Sequence, residues 1–212
     1  MKKLLLTLLI LALLGAGYFY FQKKQPVVTF VPYENAQLHD RTVTVDPASQ
    51  KIFDARIAAT KKTIAAFTKD TPTDDKVSNY FNLAGDEEAL GHHKEAKKAL
   101  EQALLAKNDA HILHAYALLL YQMGAKGDAL RYLDEAINQA PDVPNFWQTK
   151  IQLSQELYKG NANLINDVYL EGLKSTKEDI DLITLYATYL ASVGRKTEAI
   201  TYWQKAIEKN PA

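Results

Sequence analysis

Hydrophobic residues recur along most of the chain at steps of three and four positions, which is the spacing of one face of an α-helix. The first such stripe after residue 45 consists of Phe53, Ile57, Thr60, Ile64 and Phe67. Asp46 and Pro47 precede it, in the order expected of a helix N-cap and a first helical residue. The pattern predicts an amphipathic helix in residues 46–70, and its apolar stripe requires a partner surface.

An uncharged apolar run occupies residues 4–21. As a helix, these residues would span about 27 Å at 1.5 Å per residue, close to the roughly 30 Å hydrocarbon core of a bilayer. Two lysines precede the run, and four aromatic residues followed by two lysines close it, which is typical of a membrane span. The pattern predicts a signal anchor, a transmembrane helix, in residues 1–25. The alternative is a secretory signal peptide cleaved after Gly17.

The short basic head before this run resembles that of a bacterial signal anchor. It predicts a single-pass membrane protein whose remaining residues lie on the extracytoplasmic side, either periplasmic or outer. Pro26 and Pro32 interrupt the β-type runs that follow the anchor. We therefore expect an extended linker in residues 26–45.

Two 18-residue stretches, residues 124–141 and 194–211, share their first Gly, an Ala in the sixth place, an Ala-Ile pair and a closing Pro. Alignment on the small residue of the sixth place gives Ala96, Ala129 and Ala199, with spacings of 33 and then 70 residues. One further unit of irregular length must lie between the last two. Self-similarity at such a period indicates a stacked array of repeats.

Small residues in each unit are expected to let two helices approach closely. The predicted contacts are Ala117 with Ala129 and Ala187 with Ala199. Glycines at the turns can take the left-handed conformation that ends a helix; they stand at positions 91, 124 and 194.

These residues resemble the tetratricopeptide repeat (TPR) family, whose 34-residue unit is a pair of antiparallel helices. The resemblance covers residues 77–212 and implies an all-α fold, a right-handed superhelical solenoid of antiparallel helix pairs, preceded here by one transmembrane helix. The predicted divisions are an anchor in 1–25, a linker in 26–45, an N-terminal capping helix in 46–70 and a TPR-like domain in 76–212. Its units are about 77–109, 110–143, an irregular 144–177, and 178–212.

Two features depart from the family pattern. Glu87 stands where other units have Leu120 and Leu190, so either the first unit is looser or Glu87 contacts the preceding helix. The third unit has Asn163 where a small residue is expected, and its Gly172 comes two places late. A lengthened turn in this unit is expected.

In the resembling family the first helices of the units line a concave groove that holds a partner's peptide or helix. The corresponding positions in this chain are His111, His114, Leu118, Tyr121, Gln122, Asn145, Gln148, Gln152, Gln155, Glu156, Asp181, Thr184 and Thr188. No Lys or Arg is among them, so the subclass that clamps a terminal carboxylate is not indicated. The amides, imidazoles and phenol among them suit hydrogen bonding to a partner's backbone; the alternative is a solvated polar surface.

The end units of a solenoid need a polar outer face or a capping helix. The helix in 46–70 can cap the front of the array. At the rear, we expect Ile200, Trp203 and Ile207 to lack a following helix. This predicts a C-terminal edge that docks a partner or a second copy of the chain.

The balance of 25 basic and 25 acidic residues gives no net charge that would attract nucleic acid. The absence of cysteine excludes disulfides and thiolate chemistry. His111 and His114, three positions apart, and the stretch from His92 to Glu95 are candidate metal ligands, but no acidic residue completes a known zinc motif.

The sequence therefore predicts a non-catalytic protein-protein interaction scaffold tethered to the membrane, with no cofactor and no metal. Its layout resembles bacterial accessory factors for envelope assembly, such as those of cytochrome c maturation, secretion or pilus biogenesis. The alternative is a metal-binding or catalytic protein that uses His111 and His114.

Overall fold

The computed structural model describes residues 40–210. The predicted anchor in residues 1–25, the linker up to residue 39, and residues 211–212 lie outside this range. Within it the chain forms helices and no strand. The helices are α1 (Pro47–Ala65), α2 (Thr73–Ala89), α3 (His93–Ala106), α4 (Ala110–Gln122), α5 (Lys126–Gln139), α6 (Pro144–Leu157), α7 (Ala162–Ser175), α8 (Ile180–Ser192) and α9 (Lys196–Lys209).

Helices α2 to α9 pair consecutively into four hairpins, and α1 packs against α2. Helix α2 begins within the Pro- and Asp-rich stretch that separates it from α1, a few residues before the expected start of the first unit. Asp74 and Asp75 lie in its first turn, where negative charge is favourable at a helix N-terminus. None of the helices between residues 40 and 210 combines the length and the apolar composition that crossing a bilayer requires.

Paired small residues hold the second and fourth hairpins together. Ala117 of α4 and Ala129 of α5 are buried and line the same slit. Ala187 and Ala199 occupy the same places in α8 and α9 and are fully buried. Because none of these side chains extends beyond Cβ, the two backbones of each hairpin can approach closely.

The third hairpin is built differently. Ile151 and Ile165, the eighth residue of α6 and the fourth of α7, occupy the places that Ala117 and Ala129 hold in α4 and α5. Both are buried, and the backbones of this hairpin approach each other less closely than those of the others. Near the other end of the hairpin, Gly172 packs against the Trp147 indole, where an added Cβ would lie 3.2 Å from the ring.

Acidic residues of α2 fix the capping helix α1. Glu87 is buried and accepts a hydrogen bond of 2.7 Å from the Nζ of Lys61 on α1. Asp86 is also buried and lies 2.8 Å from the guanidinium of Arg56. Burial raises the pKa of Asp86, while the charge of Arg56 lowers it. Glu87 therefore contacts the preceding helix, which was the second of the two alternatives for its departure from the family pattern.

Candidate functional site

The first helices of successive units, α2, α4 and α6, lie side by side and are joined by side-chain hydrogen bonds. Gln122 Nε2 on α4 donates to Glu88 Oε1 on α2 over 2.9 Å. On the other side of α4, the Tyr121 hydroxyl donates to Glu156 on α6. The three helices therefore present one continuous row of side chains.

Three of the predicted groove residues meet at a slit between α4 and α6. Leu118 and Tyr121 of α4 and Gln152 of α6 line it together with Thr149, above the Ala117–Ala129 seam. The volume of the slit is about 10 Å³, enough for one water molecule at most. A partner at this point must therefore bind on the surface of the row, with Tyr121 and Gln152 within reach.

Lys126, at the start of α5, borders the groove beside Tyr121. Its Nζ donates to Glu156 Oε2 over 2.6 Å and lies 5.8 Å from the centre of the Tyr121 ring. The hydrogen bond from Lys126 lowers the pKa of Glu156, and donation to Glu156 raises the pKa of Tyr121. The groove positions of the family did not include Lys126, because it belongs to a second helix. The short turn after Gly124 brings it to the edge of the groove.

His111 and His114 both contact the Phe146 ring, at centroid distances of 5.3 and 4.8 Å. His111 is exposed, whereas His114 is buried between α4 and α6. The Thr149 hydroxyl donates to the Asn145 carbonyl, so it accepts from His114 Nε2 at 2.9 Å. Across residues 40–210, no three potential metal ligands come together.

We expect the stability of the domain to decrease as the pH falls below 6.5, the ordinary pKa of histidine. Burial, and to a smaller extent the neighbouring His111, lower the pKa of His114 in the folded state. A group whose pKa is depressed by folding contributes stability above its unfolded pKa, and this contribution is lost as the pH falls through the folded value. The melting temperature measured against pH should therefore fall less steeply in His114→Gln, whose amide can still donate to Thr149. His111→Gln, at an exposed position, should retain most of the acid sensitivity.

The other predicted residues do not line the slit. Asn145 is exposed, Gln148 is half-buried, and Gln155 donates to the Tyr169 hydroxyl over 3.1 Å. On α8, the first helix of the fourth unit, three predicted residues are exposed, namely Asp181, Thr184 and Thr188. A binding role for all of these residues stays a prediction.

A larger pocket lies on the first unit, where no site residue was predicted. Gly85, Glu88 and Ala89 of α2 stand 33 residues before Leu118, Tyr121 and Gln122, so they are the groove positions of the first unit. Together with Gln122 of the second unit they line a pocket of about 540 Å³. The space above Gly85 is open, since a Cβ added to this residue would have no neighbour within 4 Å.

The chain segment of residues 41–44 forms the opposite wall of this pocket. Its backbone is fixed at the turn between α2 and α3, where the Arg41 N–H donates to the Gly91 carbonyl over 3.0 Å. The Asp40 carboxylate accepts from the Lys94 N–H over 2.8 Å. Asp40 thereby caps α3, whose own N-cap residue, His92, makes no side-chain cap bond.

The predicted C-terminal edge lies on α9, where Ile200, Trp203 and Ile207 form a single exposed stripe. No helix of the described chain follows α9, and the stripe has no covering element between residues 40 and 210.

The array of helix pairs is similar to solved repeat structures. A crystal structure of MamA superposes with a TM-score of 0.59 at 17% identity, covering 79% of this chain and 96% of that chain. A tetratricopeptide repeat protein from Parabacteroides merdae gives 0.57 at 18% identity, covering 77% of this chain and 64% of that one. YrrB, described as a TPR protein with an unusual peptide-binding site, gives 0.53 at 16% identity, covering 77% and 81%.

These likenesses show the fold of the described chain, which is that of the tetratricopeptide repeat. The expected all-helical repeat architecture is thus confirmed for residues 40–210. The sequence itself matches no protein-family model and no curated protein.

Proposed function

We propose that the protein is a non-catalytic interaction scaffold that binds a peptide or helix of a protein partner along the row formed by α2, α4 and α6. The observation that carries the proposal is the 540 Å³ pocket at the start of this row. Beyond the pocket, the row presents the half-exposed Tyr121 and the exposed Gln152. Side-chain amides, hydroxyls and a phenol along the row can hydrogen-bond a partner's backbone. The TPR fold supports this reading, since the solved neighbour YrrB is described as having a peptide-binding site.

Tethering to the membrane is part of the same proposal. The apolar run of residues 4–21, flanked by lysines, supports an anchor, with the repeat domain on the extracytoplasmic side. Envelope assembly, as in cytochrome c maturation, secretion or pilus biogenesis, is the role that this layout favours. Protease added to intact cells or spheroplasts should remove the repeat domain, whereas full protection would contradict the orientation.

The C-terminal edge is a second interaction surface in this proposal. Its apolar stripe is separate from the row of first helices, so a molecule bound there leaves the groove accessible. Partner binding in the groove and association at the edge can therefore be tested independently.

Crosslinking in the native membrane tests the groove. A photoreactive amino acid placed at Gln152 should give a discrete adduct with a protein partner, because this side chain is exposed beside the slit. The matched control is Asn138, which is exposed on the second helix α5 and also carries a side-chain amide. Adducts of equal yield from both positions would contradict a specific groove.

Filling the pocket should prevent binding. In Gly85→Trp the new ring has open space to enter the pocket, so we expect the Gln152 adduct to be lost while the fold is retained. Gly85→Ala is the control: it adds one methyl group, should stabilise α2 by about 1 kcal/mol, and should leave the adduct unchanged. Persistence of the adduct in Gly85→Trp would show that the partner does not use the first unit.

A further inference from the structure

We infer that the C-terminal edge pairs with the same edge of a second copy, with the two α9 helices antiparallel about a twofold axis near Trp203. This assigns an occupant to the second surface of the proposed function, and it does not depend on what the groove binds. Three observations carry it: the burial of the same surface in an internal unit, the symmetry of the stripe along α9, and the charges at the two ends of that helix.

The second unit shows what normally covers this surface. Leu130, Leu133 and Ile137 of α5 stand 70 residues before Ile200, Trp203 and Ile207. The α5 residues are 4%, 0% and 6% exposed, and α6 packs over their helix. The α9 residues are 52%, 39% and 69% exposed. Within residues 40–210, the edge is therefore a surface of the kind that binds a helix, and no helix covers it.

Val193 extends the same comparison to α8. It is 43% exposed, while Met123, its counterpart 70 residues earlier, is 5% exposed. The uncovered area thus includes the end of the first helix of the unit as well as the face of the second. Exposed apolar area of this extent is typical of an interaction site on a globular domain.

The stripe on α9 is suited to meeting a copy of itself. Ile200 and Ile207 flank Trp203, three positions before it and four positions after it. When two such helices run antiparallel, Ile200 of one copy faces Ile207 of the other, and the two Trp203 rings meet near the axis. The same patch then contacts itself, which is the geometry of a twofold interface.

The charges favour the antiparallel direction. Lys196 lies in the first turn of α9 and Glu208 at its end, and neither forms an ion pair within residues 40–210, whereas Glu198 is already paired with Arg195. Antiparallel pairing brings Lys196 of each copy within reach of Glu208 of the other, twice per dimer. A parallel pairing would instead place like charges together, and it would align the two helix dipoles unfavourably.

Cysteine crosslinking of the full chain in the membrane tests the contact. The natural chain has no cysteine, so every thiol crosslink reports only on the introduced residue. Gln204→Cys, beside Trp203 on an exposed position, should give a covalent dimer with a short bis-maleimide. Gln102→Cys, exposed on α3, is the matched control and should stay monomeric.

Charge reversal tests the direction. Glu208→Lys should weaken the dimer about tenfold, since two attractive pairs become two repulsive ones, and the crosslinked fraction of Gln204→Cys should fall accordingly. Adding Lys196→Glu to the same chain should restore the crosslinked fraction. Both positions are exposed, so neither change removes a buried contact.

Each outcome decides the proposal. A Gln204→Cys dimer that responds to Glu208→Lys and recovers in the double reversal supports it. A dimer whose crosslinked fraction changes with neither reversal overturns the antiparallel arrangement. A chain that remains monomeric, or that crosslinks at Gln204 only to a different protein, overturns self-association. None of these results affects the photocrosslink at Gln152, so failure here is distinguishable from failure of the groove.

Discussion

Replacing Gly91 with alanine should lower the free energy of unfolding by about 2–4 kcal/mol, the sum of backbone strain and lost hydrogen bonds. Gly91 has a φ of 77°, in the left-handed region that costs other residues energy. A Cβ at this position would lie 2.0 Å from the Arg41 carbonyl oxygen, so residues 40–43 must move away. Their displacement breaks the bonds from Arg41 to Gly91 and from Lys94 to Asp40.

Gly194→Ala separates these two contributions. Gly194 occupies the same turn position in the fourth unit and has a φ of 84°, but an added Cβ would have no neighbour within 4 Å. This variant should show the strain alone, about 1–2 kcal/mol. Chemical denaturation gives the two free energies, and hydrogen exchange at the Arg41 amide reports release of the segment. Equal destabilisation in the two variants, with an unchanged exchange rate at the Arg41 amide, would contradict the packing of residues 40–43 on the turn.

Replacing Ala129 with leucine should overpack the second hairpin and cost on the order of 1–3 kcal/mol. Ala129 is fully buried opposite Ala117, and the slit beside them has room for about one water molecule. The added carbon atoms can be accommodated only if α4 and α5 move apart. In the third hairpin, where Ile151 and Ile165 stand in these places, α6 and α7 approach each other less closely.

A matched change at the third hairpin provides the control. Ile165 has the same place in α7 that Ala129 has in α5, and it already carries a large side chain. Ile165→Leu should therefore cost less than about 1.5 kcal/mol, as volume-conserving substitutions usually do. Thermal or urea unfolding measures both variants. An Ala129→Leu protein that unfolds like the parent would mean that this seam is not a close helix contact.

The sequence was sufficient to predict the hairpins because their determinants are local. Alanine, glycine and proline recur at fixed spacing, and each has a direct physical effect on helix approach or termination. The third unit was harder to place. Its small residue is Gly172, the eleventh residue of α7, and the interval from the start of α6 to the start of α7 is two residues longer than in the second unit. Once the helices are known, Gly172 corresponds to Ala136 of α5.

The pocket on the first unit could not be predicted from the same pattern. Its floor consists of Gly85 and Ala89, which carry no functional groups, so neither residue type suggests a site. Its far wall depends on the hydrogen bond between Asp40 and Lys94, which are 54 residues apart and belong to no repeat. The 33-residue offset from Leu118 and Tyr121 was the one available signal, and it identifies Gly85 and Glu88 as groove positions.

The attachment of Asp40 and Arg41 to the first unit sets the length of chain between the repeat domain and the proposed anchor. If residues 1–25 form the proposed anchor, only the 14 residues from 26 to 39 connect it to this attachment point. Fully extended, a linker of this length spans about 50 Å.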